Sequence, residues 1–360
     1  MQRTNIQLYT LGGTIAMARQ ASGHGAALPS LEGRALLDAL DSAFLEGLDA
    51  DIHVDNLTNK GSANLSPAII ADLLLKASAS PADAFVVTQG TDTLEETAFL
   101  ASLLWRGPRP IIFTAAMRPA TAAGADGPAN LAASLLLASG VLIEAQKQAF
   151  SSMAGCTTAP EHALSCVFVL MNDTLHDPAR ITKSHTSSVQ SFVSDPAPVA
   201  YLQEGRLHPV SAWPMCAPIV QDRAGRNLIL ESMASGAARE MCVPILTPGI
   251  GEVPPEYIDA SALKGCVLAA YGAGHISEDW ADFVGKLADT MPVVLSTRAT
   301  YGSVLERTYG YKGAEIHLLS EGLVSGGILS PAKARLLLMV ILVAYGHEWR
   351  QHFANSVAHY

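Results

Sequence analysis

The sequence predicts an α/β protein of two domains, the larger N-terminal one built on a mostly parallel, doubly wound sheet and the smaller C-terminal one also α/β. Three observations predict it. Short uninterrupted apolar runs alternate with stretches of helical spacing, the pattern of strands buried on both faces of a parallel sheet. At 360 residues the chain exceeds what one compact core comfortably holds. A proline-rich tract at 193–240 separates two sets of these signals.

Taken in order, the first strand is read from Ile6-Gln7-Leu8-Tyr9, where Ile6 and Leu8 alternate with Gln7 and Tyr9. Phe85-Val86-Val87-Thr88 is a buried strand, followed by a glycine turn and the helical spacing of residues 94–100. Residues 111–114 and 167–171 give two more buried strands, and residues 144–164 read as a surface insertion or an extended helix plus loop. The expected domains are 1–192, catalytic, and 241–360. Between them lies a linker region, 193–240, where Pro196, Pro198, Pro209, Pro214 and Pro218 interrupt regular structure. Strand signals resume at residues 243–246, 266–270 and 292–295. A closing helix starts near Ser330-Pro331, serine suiting the N-cap and proline the first turn.

Composition narrows the function classes. Hydrophobic residues make up 49% and charged residues 16%, enough to bury a large core and too little charge for a disordered chain. The net charge of −10 comes with no basic block, which argues against a nucleic-acid partner. Cys156, Cys166, Cys216, Cys242 and Cys266 form no CxxC pair, so they read as buried thiols in a reducing compartment rather than a disulfide framework or zinc site. The first residues alternate instead of forming a signal peptide's apolar core. The apolar stretch 336–345 is about half the length of a membrane span. The expectation is a cytoplasmic protein with no membrane partner.

Three segments put reactive side chains just past strands, where ligands of parallel sheets bind. Leu11-Gly12-Gly13-Thr14-Ile15-Ala16 follows the first strand. Its paired glycines permit a sharp turn and close backbone approach, leaving the Thr14 hydroxyl exposed, although a tight turn with an ordinary threonine explains the same letters. Gln89-Gly90-Thr91-Asp92-Thr93 opens a helix. Thr91 or Asp92 alone would be a cap, but one helix start does not need three such residues. Ile181-Thr182-Lys183-Ser184 follows the polar turn Asn172-Asp173-Thr174. On an open surface Lys183 is a solvated cation; beside a carboxylate its amine can carry protons. A threonine hydroxyl is a poor nucleophile at neutral pH and needs a proton acceptor as it attacks. Thr91, Lys183 and Asp92 offer hydroxyl, amine and carboxylate for that task. N–H groups at the Gly90–Thr91 turn suit an oxyanion, each well-placed donor being worth roughly 3–4 kcal/mol. Nothing has metal-ligand spacing. Gly272-Ala-Gly274 does not complete a dinucleotide fingerprint, and no phosphate loop accompanies Lys183 as pyridoxal phosphate would require.

These segments resemble those of the bacterial L-asparaginases. Residues 11–16 resemble that family's TGGTIA, residues 89–97 its HGTDTMEET, and Ala116-Met-Arg-Pro119 with Ala125-Asp-Gly-Pro-Ala-Asn-Leu131 its AMRP and ADGP.NL. Met171-Asn-Asp-Thr174 with Thr182-Lys183 is similar to MNDT and TK, and residues 326–335 are similar to its closing helix. The resemblance implies an amidohydrolase hydrolysing L-asparagine to L-aspartate and ammonia, with Thr14 forming an acyl-enzyme. Thr91, Asp92 and Lys183 would form the second catalytic group. Gly61 and Ser62 would hold the substrate α-carboxylate, Asp92 the α-ammonium, and the carbonyl of Ala116 would lie near the leaving nitrogen, beside Gly90 and Thr91. The family works without metal or organic cofactor and forms homotetramers, each site completed by a neighbouring subunit's smaller domain.

Several positions depart from that pattern. The loop at 17–30 lacks the family's tyrosine, with Ala26 and Ala27 near the expected place, and keeps Gly23 and Gly25 as a movable lid would. Tyr301 and Tyr271 are candidate replacements. Ala63 stands where a glutamine often helps hold the amine. His275 stands where many relatives place a cross-subunit asparagine, and an interface histidine without substrate contact explains it equally. Thinner contacts to the α-amine weaken discrimination. Two alternatives follow: a glutaminase-asparaginase or related amidase on a substituted side-chain amide, and a non-catalytic amino-acid-binding or regulatory protein on the same scaffold.

Overall fold

The apolar runs become the centre of an eight-stranded sheet in a computed structural model that describes residues 3–19, 27–29, 32–106, 108–153, 164–215, 219, 223–236, 241–255 and 258–360. The chain divides into two compact units, Met1–Cys216 and Ala217–Tyr360. In the first, β1 (Thr4–Thr10), β4 (Ala50–Asn56), β5 (Ala84–Thr88), β6 (Ile111–Thr114) and β7 (Val167–Met171) run parallel in the order β4-β1-β5-β6-β7. The sheet continues antiparallel through β8 (Thr174–His176), β11 (Ala200–Gln203) and β12 (Arg206–Pro209). Every residue of β5, β6 and β7 is buried, which is why these strands read as continuous apolar runs. β1 alternates less than its letters suggest, because Tyr9 is buried along with Ile6 and Leu8. Two antiparallel ribbons stand outside this sheet: β2 (Met17–Arg19) with β3 (Ala27–Pro29), and β9 (Ile181–Lys183) with β10 (Phe192–Ser194).

The second unit holds a parallel sheet of β13 (Ile245–Leu246), β14 (Cys266–Ala270), β15 (Val293–Thr297) and β16 (Val324–Ser325). Its helix Pro331–Tyr345 is capped as expected, the Ser330 side chain accepting from the Lys333 N–H. The core here is built from Leu268, Trp280, Val284, Leu295 and Leu318.

Two expectations need correction, the 193–240 linker and the burial of every cysteine. The 193–240 tract is not a linker: β10 to β12 lie almost wholly within it and belong to the first unit, and the helix Arg223–Ala234 belongs to the second. Residues 200–203 alternate buried and exposed, and Glu204-Gly205, both at positive φ, close a two-residue hairpin. Pro209 is tolerated because it ends an edge strand. In the 144–164 stretch a helix runs from Leu142 to Met153, while residues 154–163 lie outside the described residues. Of the cysteines, Cys166 and Cys266 are buried, but Cys242 is exposed; Cys156 and Cys216 lie outside the described residues. The run Gly127–Ala149 is long and apolar enough to cross a membrane by composition. Gly140, at φ 137°, kinks it, and its residues Leu131, Leu135 and Leu137 are buried in the core of the first unit.

Two features of the first unit bear on the site. The chain leaves β1 toward β4 on one side and returns to β5 on the other, so the loops after β1 and β5 flank a topological switch point. There Gly12 and Gly13 adopt φ of 90° and 87°, and a Cβ on Gly13 would lie 2.0 Å from the Gly90 backbone nitrogen. The second feature is His176 on β8. Only 2% exposed, its ring bonds Ser194 Oγ through Nδ1 at 2.8 Å, while the buried Nε2 has no partner among the described residues. Burial lowers its pKa from 6.5 to about 4.

Each feature generates an expectation. Gly13→Ala adds strained φ to a backbone collision and is expected to lose well over ~1 kcal/mol of stability, together with activity, read by urea unfolding and ammonia release. For His176, the unfolded chain takes up a proton near pH 6.5 while the folded one does not until about pH 4. Stability is therefore lost as pH falls through that window, by roughly 3 kcal/mol from this group. Urea unfolding of His176→Leu at pH 7 and pH 4.5 is expected to show a smaller acid loss than the parent protein.

Candidate active site

Two loops and a ribbon converge in the first unit. Thr14, half-buried, opens the turn Thr14–Ala16 directly after Gly13, whose backbone approaches Gly90. Thr91, buried, opens the turn Thr91–Thr93 that leads into the helix Leu94–Leu104. From the β9 ribbon, Lys183 Nζ donates to Thr91 Oγ1 at 2.9 Å and to Asp92 Oδ1 at 2.7 Å. The lysine side chain is 17% exposed and that of Asp92 69%. A hydroxyl, an ammonium and a carboxylate thus stand in one hydrogen-bonded row.

Ser62 lies beneath this row. It is buried, and its Oγ accepts from the Asp92 N–H at 3.2 Å while its carbonyl accepts from Thr93 Oγ1 at 3.1 Å. Gly61 precedes it at the start of the same short turn. A Cβ on Gly90 would sit 2.8 Å from Ser62 Oγ, so the glycine is what lets the loops after β4 and β5 nest. Ala116 is buried just past β6. A Cβ on Gly127 would meet both Ala116 Cβ at 3.3 Å and Ile15 Cγ1 at 3.0 Å, which brings the segment carrying Thr14 beside Ala116.

Sequence reasoning missed the residues that hold these pieces. Glu95 Oε2 accepts from the Lys183 backbone N–H at 2.8 Å, tying the ribbon to the helix that follows Thr91. The Asp126 carboxylate accepts from the N–H groups of Met117 and Arg118, both at 2.9 Å, fixing the turn after Ala116. Asn130 donates to the Ala115 carbonyl at 3.0 Å and accepts from the Asn172 N–H at 2.9 Å, joining the ends of β6 and β7. All three sit in motifs already quoted, but their partners lie 8 to 88 positions away, so the letters carried no local signal for these roles.

His275 belongs to the second unit. Its Nε2 meets Glu315 Oε2 at 3.2 Å, and its ring lies 4.9 Å from that of Tyr309 and 5.6 Å from that of Tyr311. Burial pushes the Glu315 carboxyl upward, but the N–H groups of Tyr309 and Thr308 and the His275 ring leave it below the usual range. The two candidate tyrosines are also in this unit: Tyr271 lies under the Arg298 guanidinium at 4.4 Å, and Tyr301 is exposed. Gly23, Gly25 and Ala26 lie outside the described residues, between the paired legs β2 and β3; Ala27 opens β3.

Among the described residues no group of three or more His, Cys, Asp or Glu side chains is placed to hold a metal. A cavity of about 600 Å³ in the second unit is lined by Leu263, Lys264, Trp349 and Arg350, among others. Another of about 400 Å³ in the first is lined by Arg34, Asp38, Asp51 and His53. Neither has Thr14, Thr91 or Lys183 in its walls, so the chemistry of the side-chain row marks the site.

Known proteins match this arrangement along the chain. The profile described as "Asparaginase, N-terminal" matches residues 5–212, and that described as "Glutaminase/Asparaginase C-terminal domain" matches 243–351. A probable L-asparaginase of Deinococcus radiodurans is 31% identical, over 94% of this chain and 92% of its own length. A probable periplasmic L-asparaginase of Haemophilus influenzae is 29% identical, over 94% and 88%. A crystal structure of the probable cytoplasmic L-asparaginase from Campylobacter jejuni superposes with a TM-score of 0.75 at 25% identity, covering 98% of this chain and 99% of that one. With both halves of its sequence accounted for in their proper order, the chain belongs to the asparaginase family of amidohydrolases, whose substrates are small-molecule amides.

Proposed function

We propose that this protein is an L-asparaginase working through an acyl-threonine at Thr14. The observation that carries the reading is the bond from Lys183 Nζ to both Thr91 and Asp92. In the first step Thr14 Oγ attacks the side-chain carbonyl carbon of asparagine, and its proton passes to the departing nitrogen as ammonia leaves. In the second, water attacks the resulting ester, giving a proton to Thr91 as the Thr91 proton passes to Lys183 and one of the lysine's passes to Asp92. The ester C–O bond then breaks, the relay runs back to return that proton to Thr14 Oγ, and aspartate is released. An alkoxide-like Thr91 is favoured by an ammonium in direct contact, and that ammonium is held in place by the carboxylate. Ser62 and the Asp92 carboxylate supply a donor and an anion for the α-carboxylate and α-ammonium. The paired legs β2 and β3, next to Thr14, serve as the lid.

The reading extends to assembly and location. A homotetramer, with His275 offered to a neighbouring subunit's site, follows from the family resemblance and is checked by light scattering. Cytoplasmic placement follows the Campylobacter relative's name; the Haemophilus relative is named periplasmic, and fractionation of the native cell decides between them. A second reading is favoured by one observation. Ala63 offers no side-chain hydrogen bond to the substrate amine, so glutamine is accepted beside asparagine.

The test is ammonia release from asparagine, glutamine and N-substituted amides. Thr14→Ala is expected to lose about a thousandfold or more in kcat, and Thr91→Val and Lys183→Met about 10²–10⁴-fold each. Full activity of Thr14→Ala removes the nucleophile. Equal turnover of glutamine moves the substrate assignment to the second reading, and stoichiometric aspartate binding without ammonia release makes the protein a binder.

A further inference from the structure

The lysine that carries the proposed chemistry sits on a piece of structure that cannot hold itself. β9 and β10 form a ribbon of three residue pairs outside the large sheet, and a lone two-stranded ribbon is marginal in water. Its position relative to Thr91 must come from anchors. One is Glu95, which receives the Lys183 N–H. Another is at the far end, where Ser194 Oγ meets His176 Nδ1 at 2.8 Å.

We propose that the His176–Ser194 hydrogen bond clamps the β9–β10 ribbon to the large sheet and so sets Lys183 against Thr91 and Asp92, making His176 a positioning residue for the hydrolysis; this rests on the reading that Lys183 is catalytic. The register explains how the clamp reaches the lysine. Ser194 pairs with Ile181 and Phe192 with Lys183. Directly opposed residues share a face, as do residues two apart on one strand, so Ser194 and Lys183 lie on the same face. The connection is also short. The Asp177 carbonyl accepts from the N–H groups of Arg180 and Ile181, leaving one tight turn between β8 and β9. His176 itself is fixed in the large sheet, opposite Val169 of β7.

The choice of an imidazole points the same way. Its Nε2 is buried without a partner among the described residues, and an unsatisfied buried polar atom costs stability that an apolar side chain would not. The bond to Ser194 is what the ring contributes in exchange. That bond survives in either neutral tautomer, because a serine hydroxyl both donates and accepts.

The experiment compares wild type, His176→Leu, His176→Asn, Ser194→Ala, the His176→Leu/Ser194→Ala double variant and Lys183→Met on whichever amide wild type cleaves fastest. Asparagine places an amide where Nδ1 sits and keeps the bond; leucine fills the space without it. The clamp predicts a kcat loss of about tenfold in His176→Leu and in Ser194→Ala with KM changed less than about twofold, since a displacement well under 1 Å costs less than the ~100-fold of a full ångström. It further predicts no added loss in the double variant and recovery to within about threefold of wild type in His176→Asn. Wild-type kcat in His176→Leu and Ser194→Ala, additive losses, or a His176→Asn as impaired as the leucine overturns it. Should His176→Leu fail to fold, Ser194→Ala against wild type carries the same comparison. Lys183→Met with wild-type kcat removes the parent reading and the clamp together, whereas an inactive Lys183→Met beside a normal His176→Leu removes the clamp alone.

Discussion

The close approach of two backbones, at Gly13 and Gly90, is the constraint on which the site depends. With a Cβ on Gly13 only 2.0 Å from the Gly90 nitrogen, no other residue fits at position 13, whatever its chemistry. Because each glycine sits one residue before a threonine of interest, the contact brings the segments of Thr14 and Thr91 together. The sheet makes this possible. β1 and β5 are parallel neighbours, so their carboxyl ends finish at the same level, at the switch point where the chain's direction of travel across the sheet reverses. The third strand in this group, β4, delivers Ser62 to the same place, and Gly90 again is the residue without a side chain where one would collide.

Electrostatics in this setting is about position more than stability. The Lys183–Asp92 pair is short, but the carboxylate is mostly exposed, and pairs of that kind add little to folding free energy. What the pair does is hold an ammonium where it also touches a buried hydroxyl. Glu95 holds the backbone of the same lysine, so both ends of the residue are fixed from the turn and helix that begin at Thr91.

Much of this was legible in the letters. The all-apolar strands β5, β6 and β7 and the glycine-threonine segments after β1 and β5 stood out because burial on two faces and sharp turns leave strong compositional marks. The strands between 192 and 209 did not. Frequent proline masked them, although the alternation at 200–203 and the Glu204-Gly205 turn were readable as a hairpin. Asp126, Asn130 and Glu95 were visible inside family-like motifs, but their task is to accept or bridge backbone groups from other elements, and such pairings across 8 to 88 positions have no local signature. His176 is the extreme case: only its place on β8, opposite Val169, and its bond to Ser194 distinguish it from a surface histidine.

The central claim is that one carbonyl carbon meets Thr14 first and a water activated at Thr91 second. The most direct measurement is mass spectrometry of peptides from enzyme quenched in acid during steady-state turnover of asparagine. The account predicts an aspartyl ester on the peptide bearing Thr14, accumulating further in Thr91→Val as the second step slows. An ester on the peptide bearing Thr91, or turnover with no ester in either protein, contradicts it.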